Sequence, residues 1–213
     1  MIRSFKDKHC KRLFEREPVK ILPKDLQRAA KESVTNIGRP TGLVEPGTKP
    51  SPLIDGIIAI SESFPFYYWK LNNAGDFYTL VSLYPEDNNT QQPVVFIDSR
   101  IVATSKSLMH CVAFYRAVGS PRNTKIHFTI EYTGLKGRRL LTEGLSLAKA
   151  LNDGGNSVEQ RQVCVVEFEL GEFESKAKGL VKKLCDPLFY LFDSTEIPDQ
   201  RYQKLVSDLV KSN

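Results

Sequence analysis

Residues 64–84 read FPFYYWKLNNAGDFYTLVSLY, and the reading of this stretch decides the fold. It holds the only tryptophan, Trp69, and four of the eight tyrosines. Two runs rich in aromatic and β-branched residues flank Asn72-Asn73-Ala74-Gly75-Asp76, a short polar cluster containing glycine. That pattern predicts a β-hairpin, the first of a sheet. In the second strand Phe77, Thr79, Val81 and Leu83 share one face, and Tyr78, Leu80, Ser82 and Tyr84 share the other. Neither face is wholly polar, so both are expected to be partly covered.

Working outward, residues 53–63 place Leu53, Ile57 and Ile60 at near-helical spacing, which predicts a short helix before the hairpin. After the hairpin, residues 85–90 are turn-rich and Val94 to Ile97 predicts a third strand running on to Asp98-Ser99-Arg100. Thr104 or Ser105 is a suitable N-cap for a helix to about Val118, with Leu108, Cys111, Val112 and Tyr115 as its apolar stripe. Gly119 suits the residue just past its end, and Pro121 prevents continuation. Lys125 to Tyr132 alternates cleanly, with Ile126, Phe128, Ile130 and Tyr132 inward. A short helix is expected over 145–151 and a turn over 152–156. A strand follows over 163–170, with Cys164, Val166, Phe168 and Leu170 on one side. Residues 177–192 read as a helix with Val181, Leu184, Leu188 and Leu191 on a stripe, interrupted or kinked at Pro187. A last helix covers about Asp199 to Lys211, burying Tyr202, Leu205, Val206 and Leu209.

The 213 residues suffice for one sizeable core, or for a domain with an appendage. No apolar run approaches the roughly 18 residues of a membrane span, and the charged N-terminus lacks a signal-peptide core, so a cytoplasmic protein is expected. Cys10, Cys111, Cys164 and Cys185 are far apart and make no metal-ligand spacing. Buried, reduced thiols are the expected reading, with disulfides or a metal site as alternatives. The net charge of +5 is concentrated at one end: residues 1–50 hold 12 Lys/Arg against 6 Asp/Glu, the remainder 18 against 19. Such a basic segment either meets nucleic-acid phosphates or is simply solvated.

Within that segment a helix is expected over 6–16, and another after Pro23. MIRSFKDKHCKRLFE (1–15) followed by KILPKDLQRAA (20–30) resembles the opening of HigB-type toxins of the RelE superfamily. In that family an opening strand and two helices precede an RNA-cleaving sheet. The basic phrase that carries cleavage in the family has no counterpart here, so the resemblance transfers no catalytic residue. Residues 31–52, with four prolines and three glycines, read as a linker.

Four phrases further on resemble the C-terminal region of bacterial Schlafen AlbA-type proteins: GDFYTLVSLY (75–84), FIDSRIVATSKSLMHCVAFYRAVG (96–119), IEYTGLKGRRLL (130–141) and KGLVKKLCDPLFYLFDSTEIPDQRYQKLV (178–206). Those proteins are described as ATP-binding or DNA-binding transcriptional regulators. Their named AlbA-type domain lies upstream of the region resembled, so the resemblance implies the accessory region over about 53–213 and no nucleotide site.

Candidate chemistry is sparse. Gly134-Leu135-Lys136-Gly137-Arg138-Arg139 is the best binding candidate, since two glycines permit close backbone approach and Lys136, Arg138 and Arg139 offer phosphate contacts. The competing reading is a basic turn between two strands. His110 and Cys111 are neighbours on a helix, about 100° apart, and do not form a nucleophile–base pair with each other. Cys111 belongs to the packed stripe and His110 to the helix surface or its boundary. Asp98 and Arg100, two apart on a strand and on one face, either pair locally or bind a partner, a structural salt bridge being the favoured reading. His127 lies on a polar strand face without a second histidine nearby, which does not predict a metal site. Tyr67, Tyr68, Trp69 and Tyr78 can stack bases, but core packing is the favoured reading.

The expectation is an α+β fold: a mostly antiparallel sheet flanked by helices, with a small basic helical appendage at the N-terminus. Three segments are expected, a HigB-like fragment (1–30), the linker (31–52) and the α+β domain (53–213). Function is expected to be non-enzymatic binding or regulation with nucleic acid as partner, through Lys136, Arg138 and Arg139, or with a protein partner, and without membrane or cofactor. The alternatives are an endoribonuclease toxin, or a chimeric or truncated product without activity.

Overall fold

The computed structural model describes residues 51–54, 56–61, 67–72, 76–81, 93–117, 119–142, 155–193 and 197–211. The expected N-terminal fragment, nearly all of the linker, the turn over 85–90 and the helix over 145–151 lie outside the described residues. The fold is α+β, with three small sheets and three long helices among those residues.

The hairpin forms as its pattern requires. Strands β3 (Tyr67–Asn72) and β4 (Phe77–Val81) pair antiparallel, Tyr67 opposite Val81 and Leu71 opposite Phe77. Asn72 and Asp76 brace the connection from both sides. The Asn72 amide donates to the Asp76 carboxylate at 2.8 Å, and the Asp76 N–H donates to Asn72 Oδ1 at 2.8 Å. The helix expected over 53–63 does not form. Ser51–Leu53 (β1) and Gly56–Ser61 (β2) are strands, completing an antiparallel sheet in the order β1-β2-β3-β4. Three apolar positions at helical spacing misled the period count. The β-branched run Ile57-Ile58-Ala59-Ile60 instead suits a strand beside an existing hairpin. Gly56 is required there, since a Cβ at this position would lie 2.0 Å from the Leu71 carbonyl oxygen. Ser51 and Pro52, assigned to the linker on composition, belong to β1.

Strand β5 is only Val94–Phe96, and helix α1 starts at once, running from Ile97 to Ala117. The expected helix start at Thr104 or Ser105 is therefore seven residues or more too late. Both residues are buried inside α1, where Ser105 Oγ donates back to the Ile101 carbonyl at 2.7 Å. The apolar stripe through Leu108, Cys111 and Val112 is buried as expected, with Tyr115 at its margin. The helix closes on Gly119 at φ +78°, the Gly119 N–H bonding to the Arg116 carbonyl and the Ser120 N–H to that of Tyr115. These two bonds make a Schellman motif.

Strands β6 (Lys125–Thr133) and β8 (Arg161–Glu169) form a nine-pair antiparallel ribbon. Between them β7 (Arg139–Leu141) pairs in parallel with β5, the one parallel pair among the described strands. A 3-10 turn (Leu170–Glu172) leads into α2 (Phe173–Tyr190), and α3 (Asp199–Lys211) follows. Phe173, Ala177, Leu180, Val181, Leu184 and Leu188 bury one face of α2 at helical spacing. Pro187 does not divide the helix. It lies in the final turn, where the missing donor costs a single bond, and the Leu191 and Phe192 N–H groups close the end on the Leu188 and Phe189 carbonyls.

The main core lies between α1, α2, α3 and the inner face of the ribbon. Tyr202 of α3 is fully buried, donates from its hydroxyl to Asp186 at 2.6 Å, and lies under the Lys182 ammonium. The hairpin sheet meets α1 through Phe77, whose ring stacks on Phe114 at 5.4 Å.

Candidate functional site

The Gly134–Arg139 segment is a tight, cross-braced turn between β6 and β7. Leu135 is fully buried and anchors it, its N–H bonded to the Gln160 carbonyl. The Arg138 N–H returns to the Leu135 carbonyl at 3.0 Å, with Gly137 at φ +77° in the third position, the pattern of a type II turn. Gly134 is also left-handed, at φ +71°. A second segment clamps the turn: the Gly137 N–H bonds to Ser157 and the Ser157 N–H to the Arg138 carbonyl.

The three cations do different things. The Arg138 guanidinium donates from Nε to the Gly134 carbonyl at 2.7 Å and from Nη1 to the Val94 carbonyl at 3.2 Å. It therefore ties the turn to β5. Arg139 is half-buried and its N–H bonds to the Pro93 carbonyl. Lys136 is exposed at the tip, beside exposed Gly137. The turn thus joins a fixed backbone to one solvent-facing ammonium, with a second cation half-exposed beside it. The segment is a structural turn, and it displays positive charge.

The other singled-out residues separate. Asp98 and Arg100 lie on α1, where positions two apart point away from each other. Asp98 instead pairs with Arg201 of α3 at 2.5 Å, and Arg100 is buried. His110 is not on the helix surface. It is 4% exposed, its ring packs 5.5 Å from Phe77, and among the described residues its Nδ1 has no hydrogen-bond partner. Burial pushes its pKa down to about 4 and pushes the neighbouring Cys111 thiol up to about 12, so both are neutral near pH 7. Cys111, Cys164 and Cys185 are free and buried, while Cys10 lies outside the described residues. His127 sits on the exposed ribbon face with Nδ1 2.9 Å from Glu167 Oε1. Among the described residues no three His, Cys, Asp or Glu side chains are grouped to hold a metal ion.

The hairpin aromatics divide between the two faces. Phe77 belongs to the packed side. Tyr78 does not, at 53% exposure, and it meets Tyr68 edge-on with ring centroids 5.9 Å apart. The side chains of Tyr67 and Trp69 lie outside the described residues.

One concave feature was not legible as a site. Arg116, Ser120, Arg122, Leu170, Gly171 and Glu174 line an open cavity of about 400 Å³ where α1 ends and α2 begins. Arg116 pairs with Glu174 at 2.6 Å and holds that carboxyl below its usual range. Its signals, an arginine in the last helical turn and another after Pro121, are ordinary in sequence, and only the fold brings Glu174 to them.

No family model, no curated protein and no solved structure matches this chain. Among the described residues no helix is long and apolar enough to cross a membrane.

Proposed function

We propose that this chain is a non-enzymatic binding module for nucleic acid, as part of a regulatory protein, and that the Gly134–Arg139 turn contacts backbone phosphates. One observation carries the reading: the turn is held rigid by Leu135, Arg138 and Ser157 while Lys136 projects from its tip. A cation on a preorganised turn loses little backbone entropy when it meets a phosphate, and the two exposed glycines leave room for close approach. Arg139 supplies a second contact. Arg138 acts indirectly, by shaping the turn. The basic character of residues 1–50 adds sequence-independent attraction.

The test is a titration of labelled single- and double-stranded oligonucleotides at about 50 and 200 mM salt. Binding should weaken with salt, and Lys136→Ala should reduce the salt slope by about one. Absence of binding at low salt removes the reading. Binding indifferent to the Lys136→Ala/Arg139→Ala double variant moves the contact away from this turn.

A further inference from the structure

Strand β6 runs nine residues, roughly 30 Å, in unbroken register with β8. It has no bulge and no proline, and its one lysine is at its first position. Among the described residues no third strand pairs with either edge of the ribbon. Natural edges of this length usually carry devices that prevent further pairing, because the exposed N–H and C=O row is a template for another strand.

The two edges are not equivalent. On the inner face of β8, Cys164, Val166 and Phe168 are buried. Across the ladder on β6, Ile126 and Tyr132 are buried as well, but Phe128 and Ile130 at the middle of the strand are only partly buried, though both pack on the same core. The cover is thus incomplete at the middle of β6, at Phe128 and Ile130.

We propose that the β6 edge receives β6 of a second copy of this chain, in a two-fold antiparallel dimer centred on Thr129. Such a pairing is isologous, so each contact occurs twice. On the inner side Phe128 stands opposite the partner's Ile130, covering both half-exposed apolar groups. On the outer side His127 stands opposite the partner's Glu131, and Lys125 opposite the partner's Thr133. Within each ribbon Glu131 already pairs with Arg161 and His127 with Glu167, so the pairing extends these into a row Glu167–His127–Glu131–Arg161 across the two copies, with no like charges adjacent. Placing Glu131 on the axis instead opposes like charges, which disfavours that register. The resulting four-stranded sheet, β8-β6-β6-β8, has a continuous inner face.

The experiment uses the full chain. Sedimentation or light scattering is expected to give twice the 24.1 kDa chain mass, and a monomer at about 100 μM overturns the proposal. In a Cys10→Ser background, Thr129→Cys should form a disulfide-linked dimer on mild oxidation, while Val165→Cys, on the outer face of β8, should not. Linkage through Val165→Cys, or a dimer that Thr129→Cys fails to link, also overturns it. Thr129→Lys should weaken the dimer about tenfold by setting two like charges opposite each other on the axis, while its neighbour across the ribbon, Val165, is uncharged. A dimer unaffected by this substitution counts against the pairing.

Discussion

The hydroxyl of Tyr132, at the end of β6, lies 2.7 Å from Thr104 Oγ1 in the middle of α1. Both groups are buried, and each supplies the polar partner the other needs. The bond joins ribbon to helix, and it accounts for a threonine inside α1 where sequence suggests a cap. Burial drives the Tyr132 phenol well above its ordinary range, so it stays protonated.

Removing either partner should cost about 1–3 kcal/mol by leaving one buried hydroxyl without a bond. Thr104→Val and Tyr132→Phe together should cost less than the two single losses added, because the double variant strands nothing. Urea unfolding of the four proteins measures the coupling. Strict additivity would assign no energy to the contact.

His110 makes stability depend on pH. Its folded pKa, about 4, lies below the ordinary 6.5 because burial disfavours the charged ring. Between these values the unfolded chain binds the proton and the folded chain does not, so stability falls as pH drops through that window. The loss should reach roughly 3 kcal/mol. His110→Phe, which keeps a ring against Phe77, should flatten this part of the profile. Denaturant midpoints at pH 7 and pH 5 compare the two.

The basic turn separates structure from binding. Lys136→Ala should leave stability within about 0.5 kcal/mol, as its side chain is exposed. Arg138→Ala should destabilise by about 1–3 kcal/mol, since two backbone carbonyls lose a charged donor. Gly137→Ala should cost about 1–2 kcal/mol from its φ of +77° alone, because nothing lies within 4 Å of the added Cβ. Thermal melts of the three variants give the order.

Phe77 carries ring contacts from the hairpin sheet to α1, against His110 and Phe114. Phe77→Ala should cost about 2–3 kcal/mol, less than a fully buried phenylalanine. Hydrogen exchange should accelerate in β3 and β4 while α2 stays protected. Uniform acceleration would mean that sheet and helices unfold as one unit.

Periodicity identified much of the ribbon and the helices after it. Lys125–Thr133 and Arg161–Glu169 alternate over nine residues each, and α3 was readable from Asp199 to Lys211. Long amphipathic patterns are unambiguous because a wrong period would bury charge. The start of α1 was not legible, since Ile97-Asp98-Ser99-Arg100 serves equally as a strand end. The strand β2 was missed because three apolar residues fit both periods.

Of the candidate site, sequence alone determined that glycines and cations are concentrated in 134–139, because composition is local. It also determined the hairpin, whose two strands and polar turn are contiguous in the chain. Only tertiary structure decided that Arg138 is tied to Gly134 and Val94 while Lys136 faces solvent, because Val94 is 44 residues away. The same holds for Asp98, which meets Arg201 across 103 residues, and for His110, buried by a phenylalanine from another sheet. Local pattern states what a residue can do; the surface that folds against it selects which of those it does.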